Sequence, residues 1–506
     1  MENASKPLHT EAQMYRKEDA NQLKFENFYL PFGGKLRSNN RWVIMAQQIP
    51  WQNIEKTYGQ QFCDDNGSPA KSARIALGAL IIKERLVTTD RETVEQIREN
   101  PYLQYFLGLS EYTDEELFHH SMMTHFRKRF DKDTLTQINQ LVVDKAMESD
   151  RKKTDTSPDD KDNDEPSNQG KLLVDATCTP ADVAYPTDLN LLNEAREKTE
   201  EMIDVMHAPF VSTENKPRTY RQKARKAYLA VAKQKKPGAK KIRKAIGRQL
   251  RYLRRNLHTI EQMAFDGRLI YLSKRLYRLL LVIKEVFRQQ QLMYECQTHS
   301  IPDRIISLYQ PHVRPIVRGK AKSPVEFGAK VSVSLVKGFS FVEKIGWDAY
   351  NESCDLIEQI ERYRERFGFY PESVHVDKLY RTRENRNYCQ TKGIRMSGPP
   401  LGRPSEDTAI SKQQKQLMRQ DEIDRIPIEG KFGQGKRRFS LARVMAKLAI
   451  TSEAVVMVSF MVMNLEKILA GIVSFLFLLW RWMLDGQRRW LYGRPHRMFE
   501  VAETAA

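Results

Sequence analysis

Two different periods of hydrophobic and polar residues run along this chain, and the switch between them divides it. From Ser72 to Leu86 the apolar residues Ile75, Leu77, Leu80, Ile81 and Leu86 recur at helical spacing. Thr89 and Glu92 form a T-x-x-E capping box that predicts a second helix through Ile97. Asn100-Pro101 offer an N-cap and a first helical residue for a third, Tyr102–Leu107. Residues from about 15 to 145 read as one helical unit. Short consecutive helices suit a helix-turn-helix-like DNA reader and equally a packing or dimerisation bundle, and periodicity does not choose between them.

The pattern then changes. Ser149 to Gly170 is rich in Asp, Lys, Ser and Pro and nearly free of apolar residues, which predicts a flexible linker. Lys171–Ala176 is a short apolar strand that ends in a carboxylate. Asp188 to Glu295 is helical, broken at Pro217 and at Pro237-Gly238. Strand signals return at Arg304–Tyr309, Gly328–Val336 and Phe339–Gly346, the last two joined by a tight turn at Lys337-Gly338. A helix at Ser353–Phe367, a strand at Ser373–Val376, a helix at Tyr380–Lys392, a strand at Gly393–Met396 and a helix at Asp421–Arg437 follow. Apolar helices close the chain. With the helical insert set aside, this order matches an α/β fold with an RNase H-like mixed sheet. The expected organisation is a helical DNA-binding or dimerisation domain (1–148), the linker (149–170), a catalytic domain (171–469) with its insert at about 188–300, and an apolar helix with a basic tail (470–506).

Composition sharpens this. Lys and Arg number 83 against 64 Asp and Glu, a formal net charge of +19. Clustered cations of this kind attract polyanions and point to nucleic acid. The 5 cysteines lack any C-x-x-C spacing, which argues against a zinc site or a disulfide framework and fits a reducing, cytoplasmic setting. Met1 to Asn21 has no apolar run and does not resemble a secretory signal. Ala454–Met463 and Ile468–Trp480 are each shorter than the ~20 residues a bilayer-crossing helix needs, so core packing or a partner contact is expected and stable membrane association is not.

Candidate chemistry rests on acids. Asp175 and Asp377 each follow apolar strand residues, where a carboxylate is costly unless a metal or partner compensates it. Either one alone also suits a turn cap. Arg425, Glu429 and Lys436 are spaced four and seven residues apart, which places one carboxylate between two cations on one helix face. An ordinary solvated ion-pair stripe has the same spacing. Gly430, Gly433 and Gly435 count against a regular helix there, at roughly 1 kcal/mol each relative to Ala. His375 reads as a core histidine rather than a general base, and Asp188 as the cap of the helix that follows it.

Asp175-Ala176-Thr177 with Pro180-Ala181-Asp182 and Tyr185-Pro186-Thr187-Asp188-Leu189 resembles the first catalytic block of bacterial DDE insertion-sequence transposases, of the insertion-sequence-five superfamily in particular. His375-Val376-Asp377-Lys378-Leu379-Tyr380-Arg381 resembles the second block. Ile428-Glu429-Gly430-Lys431-Phe432-Gly433, with Lys436-Arg437-Arg438, resembles the third. Lys35, Trp42, the stretch Met123 to Arg129 and the Gly398–Pro404 loop are also similar to those proteins, and the likeness runs from about Tyr15 to Leu469. One position departs: relatives often carry a tyrosine seven residues before the glutamate, where this chain has Glu422.

The resemblance implies a polynucleotidyl transferase in which Asp175, Asp377 and Glu429 hold two Mg²⁺ or Mn²⁺ ions, and which cuts the ends of an insertion sequence and joins them to target DNA. It implies terminal-repeat and target DNA as partners and a homodimer on paired ends. Expected DNA contacts are Arg425, Lys436, Arg437 and Arg438, the cluster Arg127, Lys128 and Arg129, and Arg251, Arg254 and Arg255 of the basic insert. That insert interleaves tyrosines among its cations from Lys216 to Arg278. A metal-dependent nuclease of the same fold and a non-catalytic DNA-binding descendant are the alternatives.

Overall fold

The computed structural model describes residues 24–30, 33–60, 62, 70–154, 168–317, 325–399 and 408–492. Residues through 23, positions 155–167 of the expected linker, the Pro400–Pro404 part of the 398–404 loop and the basic tail beyond 492 lie outside the described residues. The chain divides into two compact units. One comprises Met1–Phe126, Gln137–Lys161 and Phe460–Ala506, the other Arg127–Thr136 and Asp162–Ser459.

The helical region contains α1 (Arg41–Gln48), α2 (Trp51–Gly59), α3 (Ala73–Leu86), α4 (Asp90–Glu99), α5 (Pro101–Phe106), α6 (Met122–Arg129) and α7 (Lys132–Thr154). The caps read from the sequence are in place, Thr89 and Asn100 accepting from the backbone N–H groups of Glu92 and Tyr102, and Ser72 caps α3 through the Ile75 N–H. Phe106 sits edge-on to both Trp42 and Trp51, with ring centroids 5.2 and 5.6 Å apart. α3 and the end of α5 approach so closely at Gly78 that a Cβ there would lie 2.5 Å from Leu107. Buried Arg74 donates to the carbonyls of Tyr105 and Phe106, and burial lowers its pKa to about 10. α7 runs on to Thr154, six residues into the segment expected to be linker, which begins at Ser149.

The second unit is a mixed α/β structure built on a six-stranded mixed sheet. Its central strand is β1 (Lys171–Pro180). After it come four insert helices, α8 (Asp188–His207), α9 (Arg221–Ala232), α10 (Ala239–Phe265) and α11 (Lys274–Glu295). β2 (Arg314–Val317), β3 (Val325–Val336), β4 (Phe339–Gly346), α12 (Leu356–Phe367), β5 (Ser373–Val376), α13 (Arg383–Thr391), β6 (Arg395–Met396) and α14 (Thr408–Arg438) complete it. The order is β2-β3-β1-β5-β6, with β4 also on β3. β1 is antiparallel to β3 and parallel to β5, which is parallel to β6. The β3–β4 hairpin closes at Lys337-Gly338, both at positive φ (48° and 78°), as a tight two-residue turn requires.

Three expectations are corrected. Arg304–Tyr309 is not a strand. Ile305, Ile306 and Leu308 are buried, while the Ile305 N–H is satisfied by the Gln289 side chain at 2.9 Å instead of a ladder. Gly430, Gly433 and Gly435 do not interrupt α14. The two apolar carboxy-terminal runs form one helix, α15 (Ala449–Tyr492). Polar residues between them do not break it, because buried Asn464 bonds Asn139 at 2.9 Å and Glu466 pairs with Arg85 at 2.6 Å. By length and composition Ala449–Ile472 could cross a membrane, yet 67% of its most apolar stretch is buried within the fold, as for a core helix.

Candidate active site

The register of the parallel pair β1–β5 sets the first two carboxylates side by side. Val174 lies opposite Val376, so Asp175 and Asp377 come next at the same height on strands about 4.8 Å apart. Asp175 is partly open within an otherwise buried run, its side chain 18% exposed. Asp377 stands just past the end of β5, exposed, and its carboxylate accepts from the Lys378 N–H at 2.7 Å.

The third carboxylate comes from α14. Asp421 accepts from the β6 residue Arg395 (2.9 Å), and Asp424 pairs with Lys171 at the start of β1 (2.5 Å). These anchors turn the next helical turn towards the sheet. Arg425 Nη1 then lies 3.5 Å from Asp175 Oδ2, and its Nη2 2.5 Å from Glu429 Oε1. One guanidinium therefore bridges β1 and α14. Between Arg425 and Glu429 the helix contains Pro427, which supplies no N–H to the carbonyl four residues back.

Electrostatics single out Asp175. Burial pushes its carboxyl up to about 6, and the negative charges of Glu352 and Asp377 add to the effect. The Ala176 N–H, 2.7 Å away, and Arg425 oppose it without cancelling it.

Glu352 is a fourth acid here, and no sequence signal marks it. It pairs with Lys330 at 2.7 Å and accepts from the hydroxyl of fully buried Tyr380 at 3.1 Å. The placement arises because Asn385 donates to the carbonyls of both Ser353 and Tyr380, tying the short helical turns at Glu352–Asp355 and Lys378–Tyr380 together. Tyr380 lies in the run that carries Asp377, and it was the available clue.

Other acids and histidines are occupied elsewhere. His375 is fully buried, 3.1 Å from Ser373 Oγ and 3.6 Å from Asp421, and burial lowers its pKa. Asp182 is held by Lys447 and Arg443, whose hydrogen bonds lower its pKa. Thr187, not Asp188, caps α8, and Asp188 pairs with Arg304 at 2.6 Å.

Among the expected DNA contacts, Arg437 and Arg438 are exposed at the end of α14 and Lys436 is half-buried beside them. Arg251, Arg254 and Arg255 are exposed on the outer side of α10, whose opposite side buries Leu250, Leu253 and Leu257. The Arg255 guanidinium lies 4.5 Å over the Tyr220 ring. Glu422 is exposed. Arg127, by contrast, is buried, 6% exposed, so Lys128 and Arg129 carry whatever that cluster presents to the surface.

Among the described residues, no group of three or more His, Cys, Asp or Glu side chains is drawn together closely enough to hold a metal ion. The donor chemistry nevertheless fits a hard divalent cation. Asp175 and Asp377 offer only oxygen, and the charge of Asp175 is under-compensated where it stands.

The mixed sheet thus sets Asp175 and Asp377 side by side, and Arg425 joins Asp175 to Glu429 of α14. Residues 374–466 match the family described as Transposase DDE domain, and residues 31–129 match the family described as Transposase domain (DUF772). Over 153 residues the chain is 31% identical to an uncharacterised protein of Rhizobium meliloti, ORF8 in the nfe locus, an alignment covering 30% of this chain and 68% of the other. No solved structure matches the chain. The chain belongs to the DDE transposases. Transposases of this class generally use divalent metal ions, and their substrate is DNA.

Proposed function

We propose that this chain binds the ends of an insertion sequence, cleaves DNA there and transfers the freed strand to a target. The observation that carries this reading is the Arg425 bridge between Asp175 and Glu429, with Asp377 on the adjacent strand. The strand order, three antiparallel strands running into a parallel pair, supports an RNase H-like catalytic unit.

In this reading Asp175 and Asp377 would hold Mg²⁺ or Mn²⁺, with Glu429 as the third carboxylate ligand. Ions bound there supply a lowered water pKa and charge neutralisation at the leaving oxygen. Arg425 and Lys436 bind backbone phosphates and fix the scissile strand, while Arg437 and Arg438 extend that track. Arg251, Arg254 and Arg255 follow the DNA backbone farther out, and Lys128 and Arg129 add phosphate contacts. Residues 1–148 serve DNA binding or dimerisation, together with the chain from Phe460 onward that groups with them, and the segment after α7 links them to the catalytic part, residues 171–459. A homodimer in the cytoplasm pairs the two ends.

The test is incubation of the protein with terminal-repeat DNA, target DNA and Mg²⁺ or Mn²⁺. Joined products that vanish in Asp377→Ala are expected. Strand transfer that survives the substitution defeats the assignment, and cut but unjoined DNA assigns a nuclease instead.

A further inference from the structure

Arg425 makes a contact that the proposed chemistry has to undo. Its Nη2 lies 2.5 Å from Glu429 and its Nη1 3.5 Å from Asp175, so both ends of the guanidinium are turned towards carboxylates. A guanidinium presents its donors in one rigid plane. With Nη1 and Nη2 each turned to a carboxylate, the pair cannot grip a phosphate bidentately without giving up one of those contacts. The same carboxylates are needed for a divalent ion, and hard oxygen ligands cannot serve an ion while they hold an arginine between them.

We propose that Arg425 is a latch on the carboxylate site. In the protein free of DNA and metal it spans Asp175 and Glu429 and offsets their mutual repulsion. When ion and DNA bind, it exchanges both carboxylates for a backbone phosphate. This rests on the catalytic reading given above, and adds an order of events to it.

The surroundings suit such an exchange. Asp421 and Asp424 fasten α14 to Arg395 and Lys171 independently of Arg425, so the side chain can swing without moving the helix. Arg425 is 27% exposed and Glu429 53%, so water reaches both partners of the contact that has to break. Two consequences follow. Divalent ions bind weakly to the DNA-free protein, because each must displace the guanidinium. DNA strengthens ion binding by drawing Arg425 away, and by reciprocity the ion strengthens DNA binding.

The experiment is Mn²⁺ titration of the full-length, DNA-free protein, with free ion followed by electron paramagnetic resonance. Arg425→Gln removes the latch and should tighten Mn²⁺ binding by about fivefold or more. Arg425→Lys keeps the charge but loses the planar fork, and should tighten it by a smaller factor. Unchanged or weaker binding in Arg425→Gln overturns the proposal. So does Arg425→Lys that matches the wild type, because charge alone then accounts for the effect. Asp175→Asn separates the two layers of inference. If it abolishes Mn²⁺ binding while the Arg425 variants behave as wild type, the latch falls alone. If it leaves Mn²⁺ binding untouched, the ions bind elsewhere and the catalytic reading falls with it.

Discussion

Two buried carboxylates in one sheet have opposite characters. Glu343 on β4 is fully enclosed, and every need it has is met. Arg366 reaches both its oxygens (2.5 and 3.0 Å), Arg362 approaches at 3.3 Å, and the Ser334 hydroxyl donates at 2.5 Å. Asp175 on β1 is less enclosed but worse served. It has one backbone N–H, a guanidinium 3.5 Å away that it shares with Glu429, and two other acids nearby. A charge satisfied from all sides holds strands together; a charge left short of compensation by its fold is poised for something that arrives later. The contrast sets Glu343 apart as an acid bound into the fold, and it supports the role proposed for Asp175.

The largest effect should come from the under-compensated side. Asp377→Asn is expected to lower strand transfer on the order of a thousandfold with little change in thermal stability, measured on terminal-repeat DNA with Mn²⁺. Full activity would erase the distinction drawn here. Glu343→Gln should do the reverse. Breaking a buried, well-satisfied pair should destabilise folding by about 3 kcal/mol in urea unfolding, while the little folded protein that remains keeps its activity.

A pH titration sharpens the comparison further. The Asp175 carboxyl is raised to about 6, so on raising pH from about 4 the unfolded chain loses this proton before the folded one does. The native state therefore loses stability across that window and the deficit is complete above about pH 6. Asp175→Asn removes it, and should stabilise the protein by on the order of 2–3 kcal/mol at pH 7.5 but not at pH 4. A pH-independent difference in melting would contradict the electrostatic account.

The smallest effect concerns cations. Arg362 and Arg366 spend their charge on Glu343, whereas Arg251, Arg254 and Arg255 point outward from α10. Neutralising those three together should weaken DNA binding about tenfold and flatten the slope of log affinity against log salt by about 2–3. An unchanged salt slope would take α10 off the DNA track.

Much of this was legible in the residues. Thr89 and Asn100 announce their helices because a cap is a local bargain between a side chain and a nearby N–H. Asp377 stands out because it ends an apolar strand pattern; Asp175 reads the same way, but β1 runs on to Pro180 and sets it mid-strand. Glu352 did not stand out, since its place beside Asp175 depends on Asn385 joining two turns, and no periodicity encodes that. Arg304–Tyr309 misled for a related reason. Its apolar run is genuine, but the partner for the Ile305 N–H is the side chain of Gln289 rather than a strand. Arg127 looked like the rest of its basic cluster, and only three-dimensional packing distinguishes it.

The proline within α14 has a mechanical corollary. A helix that lacks one rung of its ladder bends there at lower cost than along the rest of its 31 residues. That missing rung would have joined Pro427 to the Ile423 carbonyl, so the weakened turn spans Asp424 and Arg425 and leaves Glu429 beyond it. Asp421, on the near side, is tied to Arg395, so a bend at this turn costs less for Glu429 to follow than for the start of the helix.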